Sequence, residues 1–188
     1  MYQFSVSGAA RGDSVEEGKQ LAMSLGKALA KAGHTLITGA TSGLPNQAAL
    51  GYKEAGGKMS LGISPASSKI EHVMKYRLPV EAYDCILYSG LHYVGRDTLL
   101  ITSSDAVLSI GGRLGTLHEF TIAMESDTPI GFLHGAGGVG DEITKIMEIT
   151  KPRTKHNPVL FSESADELIA NLTKYLDRSN VKYSQLYQ

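Results

Sequence analysis

Apolar and polar positions along the chain fall into a recurring block: a short apolar run, a turn of small residues, then a longer segment with helical spacing. Tyr2–Ser7 is β-prone and ends at Gly8. Val15–Lys31 sets Leu21, Leu25, Ala28 and Leu29 at helical intervals, with Asp13 or Ser14 as the expected cap and Gly33 closing the helix. The pattern predicts further strands at Thr35–Thr38, Met59–Ile63, Tyr83–Tyr88, Ala106–Ile110, Ile130–Leu133 and Pro158–Phe161. Helices are expected at Leu44–Ala55, Val94–Thr102, Gly115–Glu125, Glu142–Ile149 and Ala165–Leu176. Before the last, Ser164 and Glu167 have the spacing of a capping box. Ser64–Val80 holds Pro65 and Pro79 and reads as a loop with a short helix.

Several strands are continuous apolar runs, Ala106-Val107-Leu108-Ser109-Ile110 most clearly, as befits strands covered on both faces. Strands alternating with helices imply right-handed βαβ units. The expected fold class is therefore α/β: a doubly wound, mostly parallel, seven-stranded Rossmann-like sheet with helices on both faces. Residues 1–177 form one nucleotide-binding domain in this reading, and 178–188 a polar tail.

In such a sheet, ligands gather outside the carboxyl ends of the strands, which directs attention to the strand-to-helix turns. Ser7-Gly8-Ala9-Ala10-Arg11-Gly12 follows the first strand, and its small residues leave backbone N–H groups accessible. Thr38-Gly39-Ala40-Thr41-Ser42-Gly43 leads into a helix whose Pro45 suits a first turn. There Gly39, Thr41, Ser42 and Gly43 are candidates for gripping an anion. Gly111-Gly112-Arg113-Leu114-Gly115-Thr116-Leu117-His118-Glu119 follows the most buried-looking strand. Gly111, Gly112, Arg113, Gly115 and Thr116 would serve phosphate, and Glu119 falls one turn inside the helix. Each of these turns has a purely structural alternative. Gly135-Ala136-Gly137-Gly138-Val139-Gly140 spells the dinucleotide fingerprint, but only one strand and one helix follow it; a flexible loop is expected.

These segments resemble a known family. Thr38–Gly43, with Ala48-Ala49 and Glu54-Ala55-Gly56-Gly57 behind it, is similar to "T-G-G-x-x-G…A-A…E-A-G-G". Gly111–Glu119 looks like "[PG]-G-G-x-G-T-x-x-E", and Arg96 followed by Ser104-Asp105-Ala106-Val107 looks like "R…S-D-A-x-x". The pattern is that of the LOG-like Rossmann proteins, also labelled lysine-decarboxylase-like, and spans about residues 2–175. The group includes cytokinin-activating phosphoribohydrolases and molybdenum-cofactor carrier proteins. The resemblance implies hydrolysis of the N-glycosidic bond of an AMP-like nucleoside 5′-monophosphate, giving free base and ribose 5-phosphate, with no cofactor. The alternative is a non-catalytic carrier of a nucleotide or molybdenum cofactor. The family's essential arginine and glutamate map onto Arg96 and Glu119, and its phosphate-binding pair onto Gly115 and Thr116. The resemblance also implies a homo-oligomer. This chain departs from the pattern at Gly39-Ala40-Thr41, Pro45, Asp97, Gly111 and Arg113, which bears on substrate and activity more than on fold.

The chemistry fits the mapping. A carboxylate under the sugar stabilises positive charge as a glycosidic bond breaks, or orients water. An arginine pairs by its planar fork with phosphate or with that carboxylate. The bland reading is that Arg96 and Glu119 form a buried ion pair. Tyr83, Tyr88 and Tyr93 are candidates for stacking on a base, with packing as the commoner role; His92 and His118 are read as surface or packing residues. The 64–80 loop is a candidate lid. No His/Cys/Asp spacing points to a metal.

Composition narrows the classes further. The 18 Lys and Arg against 19 Asp and Glu remove the basic signature of a nucleic-acid binder, so nucleic acid is not the expected partner. One cysteine, Cys85, cannot form a disulfide framework within the chain. No apolar run approaches a membrane span, nothing at the N-terminus reads as a signal peptide, and the cytoplasm is the expected location.

Overall fold

The computed structural model describes residues 1–152 and 158–181. All seven strands lie parallel in one sheet: β1 (Gln3–Gly8), β2 (Thr35–Thr38), β3 (Ser60–Ser64), β4 (Cys85–Tyr88), β5 (Ala106–Ile110), β6 (Ile130–Leu133) and β7 (Val159–Ser162). Their spatial order is β4-β3-β2-β1-β5-β6-β7. The order reverses between β1 and β5, so the connections leaving these two strands diverge and open a crevice at their carboxyl ends.

Among the described residues six α-helices cover the sheet: α1 (Asp13–Lys31), α2 (Leu44–Glu54), α3 (His92–Thr102), α4 (Leu114–Glu125), α5 (Ile143–Thr150) and α6 (Ala165–Asn180). The strands' two-residue period divides the core in two. Phe4, Val6, Leu36, Leu108 and Ile110 pack with residues of α1, α2 and α6, including Leu25, Ala48 and Leu172. Ile37, Ile63, Val107 and Phe132 pack with Leu100 and Ile101 of α3 and Phe120 of α4. All five residues of β5 are buried, as its unbroken apolar run requires.

The parallel register sets Ser7 opposite Ser109 and Gly8 opposite Ile110. Ser5, Ser7 and Ser109 are buried, so hydroxyls interrupt the central strands near the crevice. Such polar interruptions of a buried sheet need partners or cost stability, and Ser7 finds one in the site.

Several boundaries differ from the sequence expectation. The N-cap of α1 is Gly12, with no side-chain cap bond, in place of Asp13 or Ser14. α3 starts at His92, two residues before the expected Val94. His92 holds φ +57 and its ring is 2.7 Å from the Tyr76 hydroxyl, a contact made across the fold. The Ser64–Val80 connection contains a π-helical turn at Glu71–Lys75. The buried ring of His72 pins it, between the Ser64 hydroxyl at 2.8 Å and the Pro79 carbonyl at 3.0 Å. A 3₁₀ turn at Gly138–Glu142 precedes α5. The Ser164 cap of α6 is as expected, its hydroxyl accepting from Glu167 N–H at 3.4 Å, and α6 runs on to Asn180. Positions 182–188 of the tail lie outside the described residues. Among the described residues no helix is long and apolar enough to cross a membrane.

Candidate functional site

The crevice where the strand order reverses is a cleft of about 220 Å³. Its walls combine the turns after β1 and β2 with one face of α3 and of α4: Gly8 and Ala10, Gly39 and Thr41, then Tyr93, Arg96 and Asp97, and Gly115, Thr116 and Glu119. Four segments separated in sequence therefore converge on one space.

Arg96 is buried, only 4% exposed. Its guanidinium lies directly on the backbone of Gly39: a Cβ at that position would stand 1.6 Å from Nη1. Any side chain at position 39 would evict the arginine, which is the physical reason for glycine there. Nη2 is 3.5 Å from Asp97 Oδ1, so Arg96 takes its ion-pair partner from the next residue rather than from Glu119. Nε has no hydrogen-bond partner among the described residues. A buried N–H donor left so costs free energy unless something in the cleft accepts from it.

Glu119 is buried on α4 and accepts a hydrogen bond from the Ser7 hydroxyl. Burial, reinforced by the negative charge of Asp97, pushes its carboxyl up to about 7. The Ser7 bond, Arg96 and His118 pull the other way without offsetting burial. His118 is 2.9 Å from Asp97 Oδ2. One guanidinium and two carboxyls thus share the deep end of the cleft, with a carboxyl poised to change charge near neutral pH.

The shallow end is built from backbone. α4 has Arg113 at its N-cap, no side-chain cap bond and no acidic residue in its first turn. α2 is alike, with Gly43 at the N-cap and Pro in its first turn. The leading N–H groups of α4 have no side-chain cap, in contrast to α6, and suit an anion, whereas in α2 the Leu44 N–H is already taken by a backbone carbonyl and Pro45 has none. The turns brace one another: Leu44 N–H donates to Ala9 O at 2.8 Å, and Val139 N–H to Gly112 O at 2.9 Å. The latter contact gives the glycine run 135–140 its role. It braces the turn after β5 and does not line the cleft. Ala40 holds φ +50, a left-handed conformation that costs a non-glycine residue about 1 kcal/mol or more. Its N–H is held by Thr38 Oγ1 at 3.0 Å.

A family model, the SLOG cluster4 family, matches residues 1–169. The chain belongs to the SLOG cluster4 family. The fold is shared with the X-ray structure of TM1055, at 24% identity and TM-score 0.79, covering 93% of this chain and 99% of that one. The molybdenum cofactor carrier protein of Chlamydomonas reinhardtii is 25% identical, with TM-score 0.73 over 93% of this chain and 98% of that chain. The molybdenum cofactor binding protein of Rippkaea orientalis is 26% identical, with TM-score 0.68 over 92% and 94% of the respective chains. The LOG-like resemblance and the all-parallel Rossmann-like sheet both stand.

In this SLOG cluster4 protein, Arg96, Glu119, Gly8, Gly39, Thr41, Gly115 and Thr116 come together at the cleft. Arg113 lines a neighbouring hollow with Gly8, Gly115 and Thr116. Ser42 turns away, its hydroxyl donating to Ala10 O at 3.4 Å. Gly43, Gly111 and Gly112 shape the turns at positive φ and do not line the cleft. Of the tyrosines, Tyr93 reaches the cleft. Tyr83 receives a hydrogen bond from Thr38 at 2.8 Å, and Tyr88 packs edge-on against His72. No residue of 65–80 lines the cleft; that segment touches its rim through Tyr76, edge-on to Tyr93. Sequence reasoning did not assign roles to Asp97 or Ser7. Ser7 acts through Glu119, and Asp97 through His118 as well as its neighbour Arg96; contacts between elements leave no signal in local spacing. Among the described residues no three His, Cys, Asp or Glu side chains gather as a metal-holding group.

Proposed function

We propose that this protein binds a nucleoside 5′-monophosphate and hydrolyses its N-glycosidic bond, releasing the free base and ribose 5-phosphate. The observation that carries the reading is the position of Glu119. It is a buried carboxyl in the cleft, three residues past Thr116 on the same helix. With phosphate on the amides of Gly115 and Thr116, the acid lies about one turn deeper, roughly 5.4 Å along the axis, where the sugar would sit.

As the C1′–N bond lengthens, positive charge grows on the sugar ring, and ionised Glu119 opposes it. Water adds its oxygen to C1′, the bond electrons leave with the base, and the water's proton goes to Glu119 or the departing nitrogen. Arg96, with its unused Nε–H, holds the ligand's polar edge against the floor at Gly39. Tyr93 offers a ring at the opening for the base. Incubation with AMP and chromatographic assay of adenine tests the reading. Release that vanishes in Glu119→Ala supports it, and full activity in that variant overturns it.

A second reading is favoured by a specific observation: two similar solved structures are a molybdenum cofactor carrier and a molybdenum cofactor binding protein. On this reading the same cleft retains a nucleotide or pterin phosphate without turnover. A ligand that copurifies in native mass spectra, with no base release from any nucleoside monophosphate, would select it. Both readings take the protein as a cytoplasmic homo-oligomer, which sedimentation and fractionation measure.

A further inference from the structure

Beside the cleft is a second hollow of about 260 Å³. The two share Gly8, Ala10, Gly115 and Thr116, so they meet over the first turn of α4. Their charges differ. The cleft holds Arg96, Asp97 and Glu119, a cation balanced by acids. The charged side chains of the second hollow are Arg11 and Arg113, with no acid among its walls. Neither guanidinium is paired with a carboxylate among the described residues.

The position of Arg113 is built into the backbone. Its guanidinium lies over the bare Cα of Gly12, where a Cβ would come within 2.1 Å of Nη2. Gly12 itself holds φ +94. The loop after β1 thus yields its side-chain space to an arginine from the loop after β5. A separate observation points to a ligand in the adjoining cleft, which shares the first turn of α4 with this hollow: the Nε of Arg96, buried there, has no acceptor among the described residues.

We infer that the anion end of this site is bipartite and that its preferred ligand is a nucleotide bearing a pyrophosphate, a nucleoside diphosphate in the simplest case. The inference rests on the nucleotide reading of the cleft and extends it. The amides of Gly115 and Thr116 take the phosphoryl group joined to the sugar. Arg11 and Arg113 take the next one. A second phosphoryl group placed toward the acids of the deep end would meet repulsion, so the free positive charge orients the ligand as well as holding it. Arginine suits the task because its fork meets a phosphoryl group with two parallel hydrogen bonds.

Isothermal titration of the full chain with ADP and with AMP tests this. ADP should bind about tenfold tighter at low salt, the equivalent of one charge-assisted hydrogen bond at an exposed site. The double variant Arg11→Ala/Arg113→Ala should lose at least about fivefold more affinity for ADP than for AMP, and the ADP advantage should shrink as salt rises. Circular dichroism checks that the variant folds, and Arg113→Lys provides a milder test in which charge remains but the fork is lost. Equal affinity of the wild type for both nucleotides, or equal loss for both in the double variant, overturns the inference. If AMP is hydrolysed while ADP has no advantage, the bipartite site falls and the function stands; if neither nucleotide binds, both fall.

Discussion

The ring of His118 and the carboxylate of Asp97 meet at 2.9 Å, joining α4 to α3 one residue before Glu119. Asp97 serves Arg96 as well, at 3.5 Å, so a single buried acid bridges the guanidinium and the imidazole. Its charge is also the second cause, after burial, of the raised ionisation of Glu119.

Asp97→Asn removes that charge while keeping the shape. The ionisation midpoint of Glu119 should then fall below about 7, toward its ordinary value. Carboxyl ¹³C NMR titration reads the midpoint directly. If base release needs ionised Glu119, its rate should climb as pH rises through about 7 in the wild type and earlier in the variant. A midpoint that stays put or moves up removes Asp97 from this role.

Glu119 also makes stability depend on pH with a definite sign. Its folded pKa of about 7 exceeds the ordinary 4.5 of an unfolded chain. Below that lower value the group is protonated in both states and burial carries no ionisation penalty. As pH rises, the unfolded chain ionises first, and stability is lost up to the folded pKa. Relative to Glu119→Gln, the wild type should lose on the order of 3 kcal/mol between pH 4.5 and 8, by the shift from 4.5 to about 7. Urea unfolding of both proteins at the two pH values measures this. A constant difference would refute the buried acid.

Arg96→Ala leaves Asp97 and Glu119 buried without their guanidinium. Loss of one member of a buried charge cluster typically costs about 3–5 kcal/mol, so thermal unfolding should shift down by many degrees and nucleotide binding should vanish. An unchanged melting temperature would show that the arginine is not part of a buried cluster.

Gly39→Ala should act through Arg96. The new methyl would occupy the place of Nη1, 1.6 Å away, and force the guanidinium out. At least about tenfold weaker nucleotide binding is expected, and in a double-mutant cycle with Arg96→Ala the two changes should be far from additive, as for groups in contact. Additive losses would mean that Gly39 and Arg96 act separately.

Several local readings match the structure. The run Ala106–Ile110 forms β5 with every residue buried, because a two-sided parallel strand has no solvent face to encode. Ser164 and Glu167 form the cap of α6 because their contact lies within one helical turn. Gly115, Thr116 and Glu119 reach the same cleft for a similar reason: residues three and four apart share a helix face. Boundaries failed where a distant partner intervened. α3 begins at His92, whose ring is held by Tyr76, and α1 begins beneath an arginine from another loop.

The amino-acid sequence alone thus determined the order of strands and helices, the layered α/β class and the glycine-rich approach to α4. Each depends on periodicity, capping or turn chemistry within a few residues. The tertiary structure decided how the site is charged. Ser7 meets Glu119 across 112 positions of sequence, and His118 meets Asp97 across 21. Those pairings follow from the register of β1 on β5 and from the packing of α3 against α4. Burial in that shared space raises the acid's pKa, and no linear spacing of residues encodes it.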